Sequence, residues 1–166
     1  MIIREAKQDD LPSLAKVAQD TYKTTFTDLS DDEMEAAFKT RNEAYFQQAL
    51  NTETILVAVE DLQVVGFIQF GAVTYDSIET TDEDIELNKI YIDKNNQGKG
   101  IGKALMAEMM KHPRLDNIKS IYLDVYDKND KAIGLYKKYG FKTIGRIPFK
   151  LDGKIVGYDL LIKYSK

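Results

Sequence analysis

The chain reads Gln97-Gly98-Lys99-Gly100-Ile101-Gly102 between an apolar, strand-like run and an amphipathic, helix-like run. The first run spans Ile85 to Ile92, and the second spans Ile101 to Lys111. A glycine-rich turn from a strand into a helix leaves several backbone N–H groups without intrahelical partners. These donors and the positive end of the helix dipole attract phosphate, and glycine lets the backbone approach the ligand closely. The stretch therefore predicts a strand–turn–helix unit that binds a pyrophosphate.

Three kinds of phosphate-binding loop can be compared with these glycines. A P-loop needs Ser or Thr after Gly-Lys, but Gly102-Lys103 is followed by Ala104, and Gln97 stands where the first glycine belongs. A dinucleotide fingerprint needs a third glycine where Lys103 stands, although Asp124 could serve as its ribose-binding acid. That alternative is weakened and stays open. The pattern Gln-x-x-Gly-x-Gly fits without a gap.

A second segment runs from Asn129 to Phe141 and has an Asn, an Ala three residues on, a Tyr seven residues on, and a closing Gly-Phe. Together the two segments resemble the cofactor signatures of the GNAT family of N-acetyltransferases. The likeness is strong from Ile85 to Phe141. It is greatest to bacterial members that acetylate polyamines and other small amines.

The resemblance implies a single domain over residues 1–166 with an α/β fold. Its central sheet would be mixed and mostly antiparallel, with flanking helices, as in the acyl-CoA N-acyltransferase fold. The implied co-substrate is acetyl-CoA, without a metal. The implied reaction is direct attack of a primary amine on the thioester in a ternary complex, and the partner is a small cationic amine such as a polyamine. A non-catalytic acyl-CoA sensor, or acetylation of a protein N-terminus or lysine, remains the alternative.

The resemblance also assigns contacts to the cofactor. The main chain of Ile90, Tyr91 and Ile92 would bind the pantetheine arm like an added strand. The N–H groups from Gly98 to Lys103 would hold the pyrophosphate. The full implied set is Ile90, Tyr91, Ile92, Gln97, Gly98, Lys99, Gly100, Ile101, Gly102, Lys103, Asn129, Tyr136 and Lys138. Of these, Lys99, Lys103 and Lys138 are candidates for phosphate contacts by charge, and the alternative for each is an ordinary solvated lysine.

Two residues are predicted to carry the chemistry. Tyr136 is the candidate general acid, because a phenol stays protonated at neutral pH and lies two helical turns from Asn129. Glu86 is the candidate general base. By a period of two it would share a strand face with Ile90 and Ile92, unless a bulge alters the register. Asp124, Tyr122 and Tyr126 are lesser candidates for the base.

Composition limits the other possibilities. The chain has no cysteine, which excludes disulfides and a cysteine nucleophile, and its net charge of −4 argues against general nucleic-acid binding. No apolar run is long enough to cross a membrane, and no leader is visible before Ile2, so the cytoplasm is expected. The resemblance also allows a homodimer. Six acidic and no basic residues lie between Asp76 and Glu86, where they could attract a cationic acceptor.

The pattern of apolar residues predicts the order β, α, α, three strands, α, β, α, β, β. A capping box at Ser30 to Glu33 should begin the second helix, and helical spacing continues to Leu50. The last two strands should form a hairpin around Asp152-Gly153.

Overall fold

The computed structural model describes residues 1–166, and all seven strands form one sheet in the order β1-β2-β3-β4-β5-β7-β6. The strands are β1 Ile2–Glu5, β2 Thr54–Glu60, β3 Gln63–Gly71, β4 Asp84–Ile92, β5 Ser120–Tyr126, β6 Lys142–Leu151 and β7 Lys154–Ser165. The helices are α1 Leu11–Thr25, α2 Asp31–Phe38, α3 Glu43–Ala49, α4 Ile101–Lys111 and α5 Asp130–Lys138. Only β4 and β5 pair in parallel. The predicted fold class, a mixed and mostly antiparallel sheet with flanking helices, is confirmed.

The helices cover both faces of the sheet. On one face, Leu14 of α1 and Phe46 of α3 pack with Phe67 of β3. On the other face, Leu105 of α4 packs in a cluster with Ile121 of β5. The central strands are therefore covered on both sides, and these strands carry the predicted site. No helix is long and apolar enough to cross a membrane.

The second predicted helix differs from the expectation. Helical structure stops at Phe38 and begins again at Glu43, with the Asn42 side chain accepting a hydrogen bond from the Tyr45 N–H. Asn is favoured at a helix N-cap because its side-chain oxygen accepts a hydrogen bond from an N–H that has no intrahelical acceptor. A separate helix therefore begins after Asn42, and α2 does not continue through it. The predicted capping box does form, since Ser30 and Glu33 cap α2 reciprocally.

A bulge in β4 changes which side chains share a face. Gln69 pairs with Lys89 and the next residue, Phe70, pairs with Leu87, so Asn88 has no partner on β3. An extra residue of this kind reverses the alternation of side chains beyond it. Glu86 consequently lies on the face of Lys89 and Tyr91. The expectation that Glu86 shares a face with Ile90 and Ile92 is therefore wrong. The cause is a bulge that alters the register, which was the stated exception to that expectation.

The parallel pair β4–β5 is short. It joins Asp84–Glu86 to residues 120–122, after which β4 stays paired with β3 and β5 stays paired with β7. The edge of β4 that faces β5 is thus without a partner strand from Leu87 onward. This separation opens a cleft in the middle of the sheet.

Candidate active site

A cleft of about 820 Å³ lies where β4 and β5 separate. Its walls come from α1, the second half of β4, the glycine turn and the start of α4, the end of β5, α5 and the β6–β7 hairpin. It brings together the predicted residues Ile90, Tyr91, Ile92, Gln97, Gly98, Gly100, Ile101, Gly102, Lys103, Asn129, Tyr136 and Lys138. Lys99 and Glu86 are not among the lining residues.

The glycine turn has the geometry of an anion site. Gly98 and Gly100 have φ angles of 81° and 84°, and Gly100 is the N-cap of α4. A Cβ at either position would meet no atom within 4 Å, so the left-handed backbone and not crowding requires glycine there. No acidic residue lies in the first turn of α4, where the first N–H groups have no intrahelical partner.

Side-chain hydrogen bonds connect the glycine turn to the elements around it. The Gln97 amide donates to the Ile92 carbonyl over 3.2 Å and accepts from Lys131 Nζ over 3.3 Å, which links β4 to α5. Lys99 instead donates to Asn96 Oδ1 at 2.7 Å. Lys103 and Lys138 are exposed at the cleft, and Lys131 lines it too, although sequence reasoning did not select it. Three lysines therefore surround the glycine turn.

Asn129 and Tyr136 occupy the same side of the cleft, as their spacing predicted. The Asn129 Oδ1 caps α5 by accepting from the Ala132 N–H at 3.1 Å, which leaves its amide N–H groups available for a ligand. The Tyr136 side chain is buried, and its ring meets Phe141 edge to face. Burial is the main cause that raises the pKa of Tyr136, and the charge of Asp124 adds to it. The phenol thus stays protonated throughout the physiological range.

Glu86 is held away from the cleft. Its Oε2 accepts hydrogen bonds of 2.8 Å from both the N–H and the hydroxyl of Thr74, and the residue is buried. Burial raises the pKa of its carboxyl despite these hydrogen bonds. A carboxyl in this state binds a proton more readily than an exposed one.

Two other carboxylates do line the cleft. Asp124 of β5 accepts a hydrogen bond of 2.5 Å from the Tyr75 hydroxyl, and Asp159 of β7 lies beside it. Burial, followed by the charge of Asp124, raises the pKa of Asp159 to about 7. Sequence reasoning considered Asp124 but missed Asp159. The available signal was a single acid within an otherwise apolar strand, between Tyr158 and Leu160.

Lys89 is a second residue that sequence reasoning missed. It lines the cleft, and its Nζ donates to the Tyr45 hydroxyl at 2.9 Å and to Asn88 Oδ1 at 2.8 Å. Burial, and then the neighbouring charge of Arg41, lowers the pKa of Lys89 to about 8. The acidic loop before β4 contributes no residue to the cleft lining, although its Tyr75 reaches Asp124.

The arrangement fits a long ligand with a phosphate-bearing end. The cleft is lined by the first N–H groups of α4 and by lysines, by the free edge of β4, and by two acids and a buried phenol. A pantetheine arm can pair with a free strand edge as another strand would. No group of three or more His, Cys, Asp or Glu side chains is placed to hold a metal ion.

Comparison with known proteins agrees with these motifs. The protein-family model for the acetyltransferase (GNAT) family matches residues 16–141. A probable spermine N(1)-acetyltransferase of Bacillus subtilis subsp. natto is 33% identical over 87 residues, which cover 52% of this chain and 57% of that protein. The match thus spans little more than half of that relative. An uncharacterized N-acetyltransferase of Mycobacterium tuberculosis is 30% identical over 146 residues, 86% of this chain and 89% of that protein.

A solved structure has the same fold. The PaiA N-acetyltransferase from Thermoplasma acidophilum, crystallised in complex with coenzyme A, superposes with a TM-score of 0.80 at 21% identity. The superposition covers 99% of this chain and 98% of that one. The whole chain therefore follows one known architecture.

Proposed function

This chain belongs to the acetyltransferase (GNAT) family, and we propose that it transfers an acetyl group from acetyl-CoA to a primary amine of a small cationic acceptor such as a polyamine. One observation carries the proposal. A single cleft joins a helix N-terminus suited to a pyrophosphate with two carboxylates that are suited to a cation. Similarity to a probable spermine acetyltransferase supports the choice of acceptor.

The glycine turn and the free edge of β4 orient the co-substrate. The N–H groups from Gly98 to Lys103 bind the pyrophosphate, and Lys103 and Lys138 are placed to neutralise phosphate charge. The main chain of residues 90–92 pairs with the pantetheine arm, and Asn129 donates to it. Acetyl-CoA supplies a thioester whose acyl carbon the amine attacks directly, so both substrates are held together in the cleft.

The acceptor amine has to lose its proton before it attacks. At pH 7 this costs about 4–5 kcal/mol for an amine with a pKa near 10.4. Glu86 stays the predicted base, and its raised pKa supports that role. Because Thr74 holds its carboxylate away from the cleft, the proton has to travel by an intervening group or a water molecule.

Tyr136 acts on the leaving group. Its hydroxyl donates a hydrogen bond to the sulfur as negative charge develops there. A full proton transfer to the thiolate is uphill, because burial raises the pKa of Tyr136 further above the ~8.5 of a thiol. Its role is therefore chiefly electrostatic stabilisation of the leaving thiolate.

Three other expectations stay predictions: that residues 1–166 form a single domain, that the protein is cytoplasmic, and that it forms a homodimer. The rival functions also stay open to test. A sensor would bind acyl-CoA without turnover, and a protein acetyltransferase would prefer a basic peptide or a free N-terminus.

The test is a thiol-release assay with acetyl-CoA and a panel of acceptors: spermidine, spermine, lysine, an aminoglycoside and a basic peptide. We expect release of coenzyme A with the polyamines to exceed that with every other acceptor. Release with the peptide alone would favour protein acetylation. Tight binding of coenzyme A with no release on any acceptor would favour the sensor.

A further inference from the structure

The acceptor end of the cleft contains a small pocket with an unusual combination of groups. We define the acceptor pocket by Tyr22 of α1, Phe26 directly after α1, Tyr126 of β5, Phe149 of β6 and Asp159 of β7, all of which line the cleft. The Phe26 ring lies 4.4 Å from Tyr22, 5.0 Å from Tyr126 and 5.8 Å from Phe149, measured between ring centroids. The pocket thus has aromatic walls around one carboxylate.

The carboxylate of Asp159 lacks a counter-charge. The residue is only 7% exposed, and no Lys, Arg or His side chain forms an ion pair with it or with Asp124. Asp127, by contrast, is neutralised by Arg146 at 2.7 Å. A buried charge without a partner is costly, and two adjacent carboxylates are more so. The raised pKa of Asp159, about 7, reflects this cost, and a cation that enters favours its ionised form.

Tyr22 supplies an independent sign that a ligand belongs here. Its side chain is 1% exposed, and its hydroxyl has no hydrogen-bond partner in the protein. One face of its ring is already covered by the Arg41 guanidinium, whose Cζ lies 3.9 Å from the centroid. The ring is thus engaged while the hydroxyl oxygen is buried without a partner, and an N–H donor that reaches it from the pocket would satisfy it.

The two carboxylates lie at different positions along the cleft. Burial is the main cause that raises the pKa of both Tyr136 and Tyr22, and the charge of Asp124 adds to it at Tyr136 whereas that of Asp159 adds to it at Tyr22. The register agrees, because Asp159 pairs with Tyr126, two residues beyond Asp124 along β5. An amine nitrogen at Asp159 is therefore farther from the leaving group than one at Asp124.

We propose that the acceptor pocket binds a second, non-reacting ammonium group of an aliphatic di- or polyamine, with Asp159 and the Tyr22 hydroxyl as its ligands. The inference rests on the proposed function and adds the residues that select the acceptor. The aromatic walls suit both the cation and the methylene groups next to it. Anchoring this nitrogen holds the other amine near Asp124 and the free edge of β4, where the thioester is expected.

The test compares two acceptors in Asp159→Asn. Asparagine keeps the shape of the side chain and removes its charge. We expect the ratio of kcat/KM for spermidine to kcat/KM for n-butylamine to fall about 10- to 100-fold, the usual effect of losing a charged hydrogen-bond partner. Tyr22→Phe should lower the same ratio about 10-fold, the lower end of the effect of losing a hydrogen bond to a charged group, because the hydroxyl itself carries no charge.

Asp152→Asn is the matched control. It makes the same chemical change in the turn of the same hairpin, where Asp152 is exposed and pairs with Lys39. The acceptor ratio of this variant should equal that of the wild type. An unchanged ratio in Asp159→Asn, or an equal fall with both acceptors, would overturn the proposal.

A binding measurement separates this inference from the proposed function. Spermidine should raise the thermal unfolding temperature of the protein saturated with coenzyme A, and Asp159→Asn should abolish that rise. If spermidine has this effect on the unfolding temperature but no amine is acetylated, the acceptor pocket is supported and the proposed enzymatic function is wrong. Turnover with an unchanged acceptor ratio would reject the pocket alone, and no rise in the wild type would reject it as well. Because Asp159 lacks a counter-charge, Asp159→Asn without ligand should unfold at the same temperature as the wild type or at a higher one. Such an unfolding transition would show that the variant folds.

Discussion

At the scale of single residues, the Tyr136 hydroxyl is a preorganised hydrogen-bond donor for the negative charge proposed to develop on the leaving sulfur. It is buried in the cleft, it stays protonated, and the cap of α5 places it two turns from Asn129. A donor that is fixed before the reaction needs no reorganisation as charge forms on the sulfur. Its effect should therefore appear in kcat more than in binding of the co-substrate.

Tyr136→Phe removes this donor and keeps the ring. We expect kcat to fall about 100-fold or more while the Kd for coenzyme A changes little. Tyr139→Phe is the control, because it makes the same change at the end of the same helix, where the hydroxyl contacts only the Lys103 carbonyl. Steady-state kinetics with calorimetric binding would measure both. Equal kcat values for the two variants would remove Tyr136 from the mechanism.

Glu86 is tested by its effect on the pH profile. Burial raises the pKa of the Glu86 carboxyl, so it binds a proton more readily than an exposed carboxylate does, but Gln at this position cannot accept one. We expect the rate deficit of Glu86→Gln to be large near pH 7 and to shrink toward about pH 10, where more of the amine is already neutral. The measurement is kcat/KM for spermidine over this range.

Glu83→Gln provides the comparison for that profile. Glu83 lies three residues earlier, on the surface, where it pairs with Lys119. This variant should follow the wild-type profile. If the profile of Glu86→Gln also runs parallel to that of the wild type, Glu86 is not the base.

The limits of sequence reasoning are visible at individual positions. The turn conformation and the phosphate-binding role of Gly98 and Gly100 could be predicted, because both are specified by one local motif. The face of Glu86 was not, because one unpaired residue at Asn88 reverses the alternation along β4. Asp159 was missed because its neighbour Asp124 lies 35 positions earlier, and only the pairing of β5 with β7 brings them together.

At the scale of elements, the strand–turn–helix unit from β4 to α4 carries the proposed co-substrate site. The turn requires a left-handed backbone at Gly100, and the first residues of α4 line the cleft. The separation of β4 from β5 then frees the strand edge beside it. Motif spacing predicted the turn, whereas the width of the cleft depends on where the parallel pairing stops.

Gly100→Asp tests the turn. It introduces a negative charge and a strained left-handed residue at the proposed pyrophosphate site. We expect binding of coenzyme A, measured by calorimetry, to weaken by at least about 100-fold, since a charge-assisted contact is replaced by repulsion.

Gly153→Asp controls for the strain. Gly153 has a φ of 80° in the β6–β7 turn, with open space around it. Both variants should lose a similar amount of folding stability, about 1 kcal/mol. Only Gly100→Asp should lose coenzyme binding. Equal affinities in the two variants would remove the phosphate-loop assignment.

At the scale of the whole molecule, charge is divided in a way that suits two oppositely charged substrates. The net charge is −4, and the acidic residues from Asp76 to Glu86 lie in the loop before β4 and at the start of that strand. Five basic residues lie from Lys94 to Arg114 and five more from Lys128 to Lys142, around the glycine turn and α5. Such a field attracts a polycation toward one end of the cleft and phosphates toward the other.

The salt dependence of the reaction tests this division. Raising the ionic strength from about 0.05 M to about 0.3 M shortens the screening length roughly from 14 to 6 Å. We expect kcat/KM for spermidine to fall more steeply than kcat/KM for n-butylamine, which carries a single charge. Parallel salt dependences would indicate that the acidic surface does not steer the acceptor.

The most direct test of the central claim follows the acetyl group itself. The protein is mixed with equimolar acetyl-CoA and spermidine, and intact-mass spectrometry of the protein and the polyamine is recorded as the reaction proceeds. The account predicts acetylated spermidine and free coenzyme A, with no acetylated protein at any time. Acetyl groups that remain on the coenzyme, or that appear on the protein before the amine, would contradict direct transfer to a cationic acceptor.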